Sequence, residues 1–222
     1  ANDLVALTAV GAILDDGSNA TVIAGTSATL TAGTAIGASG ANNEVDTTVV
    51  SLTASAAAGS VFVGETDAIT LTSVTAAGAG NDVTVTNATG TMTVVSVSAP
   101  DQVNLTATAG AIADDASNAT GITAAGATLT AGTSIGAAGN EIDTTLGTLS
   151  AAAASGSVFV TETDALTLTS VSAAGAGNNV TIVNAAGDLT VVTVSAANQV
   201  NLTATAGGIV DDGSNATAIT AT

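Results

Sequence analysis

An all-β parallel solenoid is the fold class that this sequence predicts, and three observations predict it. The chain repeats itself. QVNLTATAGAIADD at Gln102 to Asp115 returns as QVNLTATAGGIVDD at Gln199 to Asp212, and a worn copy, DLVALTAVGAILDD, opens at Asp3. Asp-Asp pairs at 15/16, 114/115 and 211/212 set the period at 114 − 15 = 99 and 211 − 114 = 97 residues. Self-similarity at a fixed period is the mark of a repeat architecture. Within each copy, apolar and polar residues alternate in short runs, which is the pattern of half-buried strands. The copies also follow one another without a linker.

The composition narrows the class. The chain has 222 residues, 18 Asp plus Glu, and no Lys, Arg, His, Cys, Trp or Tyr, so its formal charge is −18. Apolar residues make up 46% but aromatics only 1%. The apolar content is therefore small and aliphatic, suited to a narrow lumen. Disorder needs low hydropathy and many charges; here mean hydropathy is +0.58 and 8% of residues are charged. Without Lys or Arg there is nothing to neutralise phosphates, which excludes ordinary nucleic-acid binding. No apolar run is long enough for a membrane helix, and no basic and apolar leader opens the sequence, so neither membrane insertion nor a signal peptide is expected.

Copy one runs from 3 to 101, copy two from 102 to 198, and a partial third copy from 199 to 222, all in one continuous solenoid. ATLTAGTAIGASG at Ala28 matches ATLTAGTSIGAAG at Ala127, and SVFVGETDAITLTSV at Ser60 matches SVFVTETDALTLTSV at Ser157. The difference in length falls at GASGANNEVD against GAAGNEID, which marks a surface loop. VNLTAT, ALTLTSV, NVTIV, DLTVVTV and SVFVTET alternate with β-branched residues and read as strands. AAGAGN, NAAGD and SAANQ read as turns. AAAAS at Ala151 is helix-like but too short to stand alone. Phe62 and Phe159, alike placed in SVFV, are expected to be the largest plugs of the core.

A sandwich is the competing architecture. Scarce hairpin turns and small inward residues favour the solenoid, with coils of roughly 20 residues, about five per copy and about eleven in all. At one strand spacing per coil, the rod would be about 50 Å long. Neither end reads as a cap. The rod is expected to continue, through further repeats of the same chain or by stacking of copies end to end.

Runs such as GDLTVVTVSAANQVNLTATAGGIVDD, from Gly187, resemble the filamentous-haemagglutinin-like repeats of large secreted bacterial adhesins. The resemblance covers nearly the whole chain. It implies a right-handed parallel β-helix, an extracellular or cell-surface location, and service as a shaft in adhesion.

The residues that could carry chemistry are carboxylates. Glu44/Asp46, Glu65/Asp67, Glu141/Asp143 and Glu162/Asp164 stand two apart on one strand face and repeat in each copy. Acid/base work needs a tuned pair in a pocket, and no His, Cys, Lys or Arg exists to tune one. These pairs therefore read as solvated turn residues, no catalytic or cofactor-binding residue is expected, and the chain reads as no enzyme. Asp15, Asp16, Asp114, Asp115, Asp211 and Asp212 lie in oxygen-rich turns suited to calcium. They lack the order of known calcium loops, and Asp and Asn also serve turns for backbone reasons. Thr-x-Thr pairs such as Thr29/Thr31 and Thr128/Thr130 would suit an ice-binding module. They fall on several strands per unit and read as ordinary strand formers. The expected function is thus an extracellular structural shaft, with a calcium-binding or ice-binding module as the alternative.

Overall fold

The computed structural model describes residues 3–19, 23–40, 42–118, 121–216 and 218–221. It is a parallel β-solenoid of about ten coils, about 22 residues each. In chain order the strands are β1 (Leu4–Ala9), β2 (Ile23–Ala32), β3 (Val45–Ala56), β4 (Val61–Glu65), β5 (Ile69–Ala76), β6 (Val83–Asn87), β7 (Met92–Val94), β8 (Ser96–Ser98), β9 (Gln102–Ala107) and β10 (Ile112–Asp114). They continue as β11 (Gly121–Ala131), β12 (Ile142–Ala153), β13 (Val158–Glu162), β14 (Leu166–Ala173), β15 (Asn179–Asn184), β16 (Leu189–Val191), β17 (Thr193–Ala196), β18 (Gln199–Ala204), β19 (Ile209–Asp211) and β20 (Ala218–Ala221). Every described pairing between strands is parallel. The first three alanines of the helix-like AAAAS end β12, alternating between lumen and surface, and Ala154 and Ser155 follow in the turn.

Each coil makes two passes. One side of the rod, side A, carries the inward column Ile69, Met92, Ile112, Ile135, Val158, Val180. The other, side B, carries Ile36, Val61, Val83, Val103, Ala127, Leu149. These residues are buried and form one aliphatic core. The small residues that the composition supplies are the ones such a lumen accepts. Coil length varies. The register step is 63 − 45 = 18 between β3 and β4, but 121 − 96 = 25 between β8 and β11. Among the described residues, the long coils carry excursions at 14–19, 37–40 and 42–44 in copy one, and at 115–118 and 136–141 in copy two, which the bare strand periodicity does not count. Hence the coil is about 22 residues rather than 20, and about ten coils replace eleven.

Copies one and two face opposite ways. Val61 and Val158 hold the same place in the repeat, 158 − 61 = 97. Val61 stands on side B, four steps from Leu149 by way of Val83, Val103 and Ala127. Val158 stands on side A, half a coil beyond Leu149. One copy is therefore about four and a half coils, and each copy is turned half a revolution from the last. The opening strand is also one residue out from the sequence alignment. Leu4 pairs with Ser27 as Gln102 pairs with Gly126, so Leu4, not Asp3, takes the place of Gln102.

Phe62 and Phe159 do not plug the core. Val61, Val63 and Glu65 share the inward parity of β4, so Phe62 between them faces outward and is half-buried. It lies against Gly37, whose φ is +66° and where a Cβ would stand 2.4 Å from the Phe62 carbonyl oxygen. Gly136 and Phe159 repeat the arrangement at φ +64° and 2.4 Å. Only glycine fits there without strain.

Candidate functional site

The most developed polar site is the corner where β3 leaves side B for side A. β3 pairs with β4 at 45–47 and with β5 from Ser51 onward. The neighbouring coil turns away at 66–68, so the middle of β3 loses its ladder partner. Glu65 fills the gap. It sits at the inward end of β4, 4% exposed. The Thr47 hydroxyl donates to its Oε2 at 2.6 Å. The Val49 N–H donates at 3.1 Å, Thr66 N–H at 2.9 Å and Asp67 N–H at 3.3 Å. Copy two repeats this at the opposite side of the rod. Glu162 accepts from Thr144 Oγ1 at 2.7 Å, Leu146 N at 3.1 Å, Thr163 N at 2.8 Å and Asp164 N at 3.2 Å. Burial pushes both carboxyls above their ordinary 4.5, against the lowering pull of these hydrogen bonds.

The sequence reading is corrected here. Glu65 and Glu162 are not solvated turn residues but buried acceptors that replace missing ladder bonds. Asp67 and Asp164, two residues on, are exposed. The signal lay in the sequence: V-x-V-x-E puts the glutamate on the valines' face.

One coil further along, Asn87 and Asn184 occupy the same inward corner. Asn87 Nδ2 donates to the Gly90 carbonyl at 3.1 Å, and Asn184 Nδ2 to that of Gly187 at 2.9 Å, so each closes its own turn.

Outside this corner stand the excursions. An open groove in copy one is lined by Asn42, Glu44, Asp46, Glu65, Thr66 and Thr86. Its counterpart in copy two includes Asn118, Glu141, Asp143, Thr144, Thr145 and Thr163. Burial first, then the charges of Asp15, Glu44 and Asp16, raises the Asp46 carboxyl. Burial, then Asp114, Glu141 and Asp115, does the same to Asp143. The structure thus brings each Asp-Asp turn close to the acidic strand start of the next coil. This proximity between coils is invisible to the sequence. Even so, among the described residues no three carboxylates stand close enough to hold a metal ion.

The Asp-Asp pairs are engaged with their own turns. Asp15 Oδ2 accepts from Gly17 N at 2.7 Å and Asp16 Oδ1 from Ser18 N at 3.0 Å. Asp114 and Asp115 accept from Ala116 N and Ser117 N, and Asp211 and Asp212 from Gly213 N and Ser214 N. A short polar side chain closing the backbone two residues on is the standard use of Asp in turns. What the corner does chemically is to hold negative charge, partly buried, in a chain with no cationic side chain.

No protein-family model, curated protein sequence or solved structure matches this chain.

Proposed function

We propose that the chain is a load-bearing segment of an extracellular shaft, in a filament or a very large cell-surface adhesin built like the filamentous-haemagglutinin-like repeats. One observation supports this reading. The inward columns run from coil to coil without a break, Val61, Val83, Val103, Ala127 and Leu149 on side B and Ile69, Met92, Ile112, Ile135, Val158 and Val180 on side A. In β9, Val103 and Leu105 are 0% exposed between β6 and β11, so a coil is sheltered by the coils on either side of it, as in a repeat array. The partner proposed is another coil of this repeat, in the same chain or in a second copy. The load path is the backbone ladder, and the acidic surface keeps rods apart sideways.

The test is to purify the 222-residue chain and a version carrying one more copy of residues 102–198. Filaments by electron microscopy for the first, or a higher melting temperature for the second, are expected. Isolated particles together with an unchanged melting temperature would overturn the proposal.

A further inference from the structure

Among the described residues, every buried polar side chain belongs to one of two triads. Thr47, Glu65 and Asn87 form the first, Thr144, Glu162 and Asn184 the second, and none is more than 4% exposed. Each triad is one inward column on three successive coils, with Thr47 beside Glu65 and Glu65 beside Asn87. Thr144, Glu162 and Asn184 repeat this in copy two. Neighbouring backbones in the column are about 4.8 Å apart. On either side the column is aliphatic, with Ile23 and Ala107 flanking the first triad and Ile122 and Ala204 the second.

The bonding along each column is incomplete. The threonine hydroxyl donates to the glutamate Oε2, and the asparagine Nδ2 donates to its own turn. The asparagine Oδ1 is buried and, among the described residues, has no donor in either copy. Buried acceptors are nearly always paired. Its column neighbour is a glutamate, which when ionised can only accept. The chain has no Lys, Arg or His to place between the two oxygens. The donor that the column can gain is the glutamate's own proton. Glu65 Oε1 already accepts from the N–H groups of Val49, Thr66 and Asp67, and Glu162 Oε1 from those of Leu146, Thr163 and Asp164. Oε2 is therefore the oxygen with room for it.

We propose that in each copy the glutamate takes one proton from solvent and donates it from Oε2 to the asparagine Oδ1, closing a hydrogen-bonded clasp across three coils. No covalent bond between heavy atoms changes. Other titratable groups stand aside. β4 packs against β3, β5 and β6. Asp46 of β3 is outward by parity, β5 and β6 carry no titratable residue, and Asp67 is exposed. Around β13, Asp143 of β12 is outward, β14 and β15 carry none, and Asp164 is exposed. Burial raises both glutamates, the direction that the clasp needs. The rod is thus fastened at two corners on acidification. The inference is independent of the shaft reading, since it concerns neighbouring coils within the chain.

Infrared spectra of the folded 222-residue chain read the C=O stretch of a protonated carboxyl. The wild type is expected to show it above pH 4.5, the ordinary glutamate value. Glu65→Gln with Glu162→Gln should remove it. Asn87→Ala with Asn184→Ala should move it to higher wavenumber, because the acid loses its acceptor. Should the alanine pair fail to fold, the melting temperature of the glutamine pair decides. A glutamine Nε2 donates to the asparagine as the acid does, and Thr47 and Thr144 can turn to the Gly64 and Thr161 carbonyls, each 3.1 Å away. The glutamine pair should therefore melt no lower than the wild type at neutral pH. An acid band absent above 4.5, or kept by the glutamine pair, would overturn the proposal. So would a band that the alanine pair leaves unmoved, or a glutamine pair that melts below the wild type at every pH.

Discussion

Glu65→Ala should destabilise the rod by about 1–3 kcal/mol, because it leaves one buried donor without an acceptor. The figure follows from each donor's alternatives. The Thr47 hydroxyl also lies 3.1 Å from the Gly64 carbonyl and can turn to it. Thr66 N–H also reaches the Thr47 carbonyl at 3.2 Å. Asp67 is exposed, so its N–H finds water. Val49 is 1% exposed, and its N–H is aimed at both carboxylate oxygens of Glu65, at 3.3 and 3.1 Å. That one orphan sets the cost. Glu162→Ala repeats the experiment on Leu146 N–H. The two corners are four and a half coils apart, about 22 Å, so the double variant should equal the sum of the singles within ~0.5 kcal/mol. Urea unfolding followed by circular dichroism reads all three. A loss below ~0.5 kcal/mol at both sites would show that Glu65 and Glu162 are not replacing ladder bonds.

Other outcomes follow from the same geometry. Because burial raises the Glu65 and Glu162 carboxyls in the folded rod, the folded state binds protons more readily than the unfolded chain. Stability should therefore rise as pH falls from neutral through the raised values toward 4.5, and level off below. Glu65→Gln with Glu162→Gln should flatten that slope in urea titrations across the range. Leu105→Ala should cost about 2–5 kcal/mol as a buried cavity, and Leu202→Ala, in the same hexapeptide but only partly buried, well under half of that by the same unfolding assay. Gly37→Ala, at positive φ and against the Phe62 carbonyl, should cost more than ~1 kcal/mol, seen as a lower melting temperature. With no cationic side chain, sodium chloride should raise the melting temperature by screening. Calcium at equal ionic strength should match it, and a calcium-specific rise reversed by chelator would show a built site instead.

Much of the fold was legible in the sequence because solenoid strands obey a period of two and the copies align by eye. The parallel stacking followed from uninterrupted repetition and from a core of Ala, Val, Ile and Leu. Coil length was not legible, since 18 to 25 residues separate register partners and the difference lies in excursions that carry no period. The burial of Glu65 was legible in VFVGE but was masked by the ordinary expectation that a carboxylate near a turn is wet. Phe62 misled for the opposite reason, because size suggested the core while parity placed it outside. The nearness of Asp15 and Asp16 to Asp46 depends on coil length, so no reading that misses it by two residues can find the acidic corner.

The half-revolution between copies makes the rod a two-sided ruler. Any feature borne once per copy, whether loop or acidic groove, reappears on the same flank only after two copies, nine coils or about 43 Å. A long array would thus offer identical stations to its left and right alternately. A partner confined to one side would engage every other copy and leave the rest facing away.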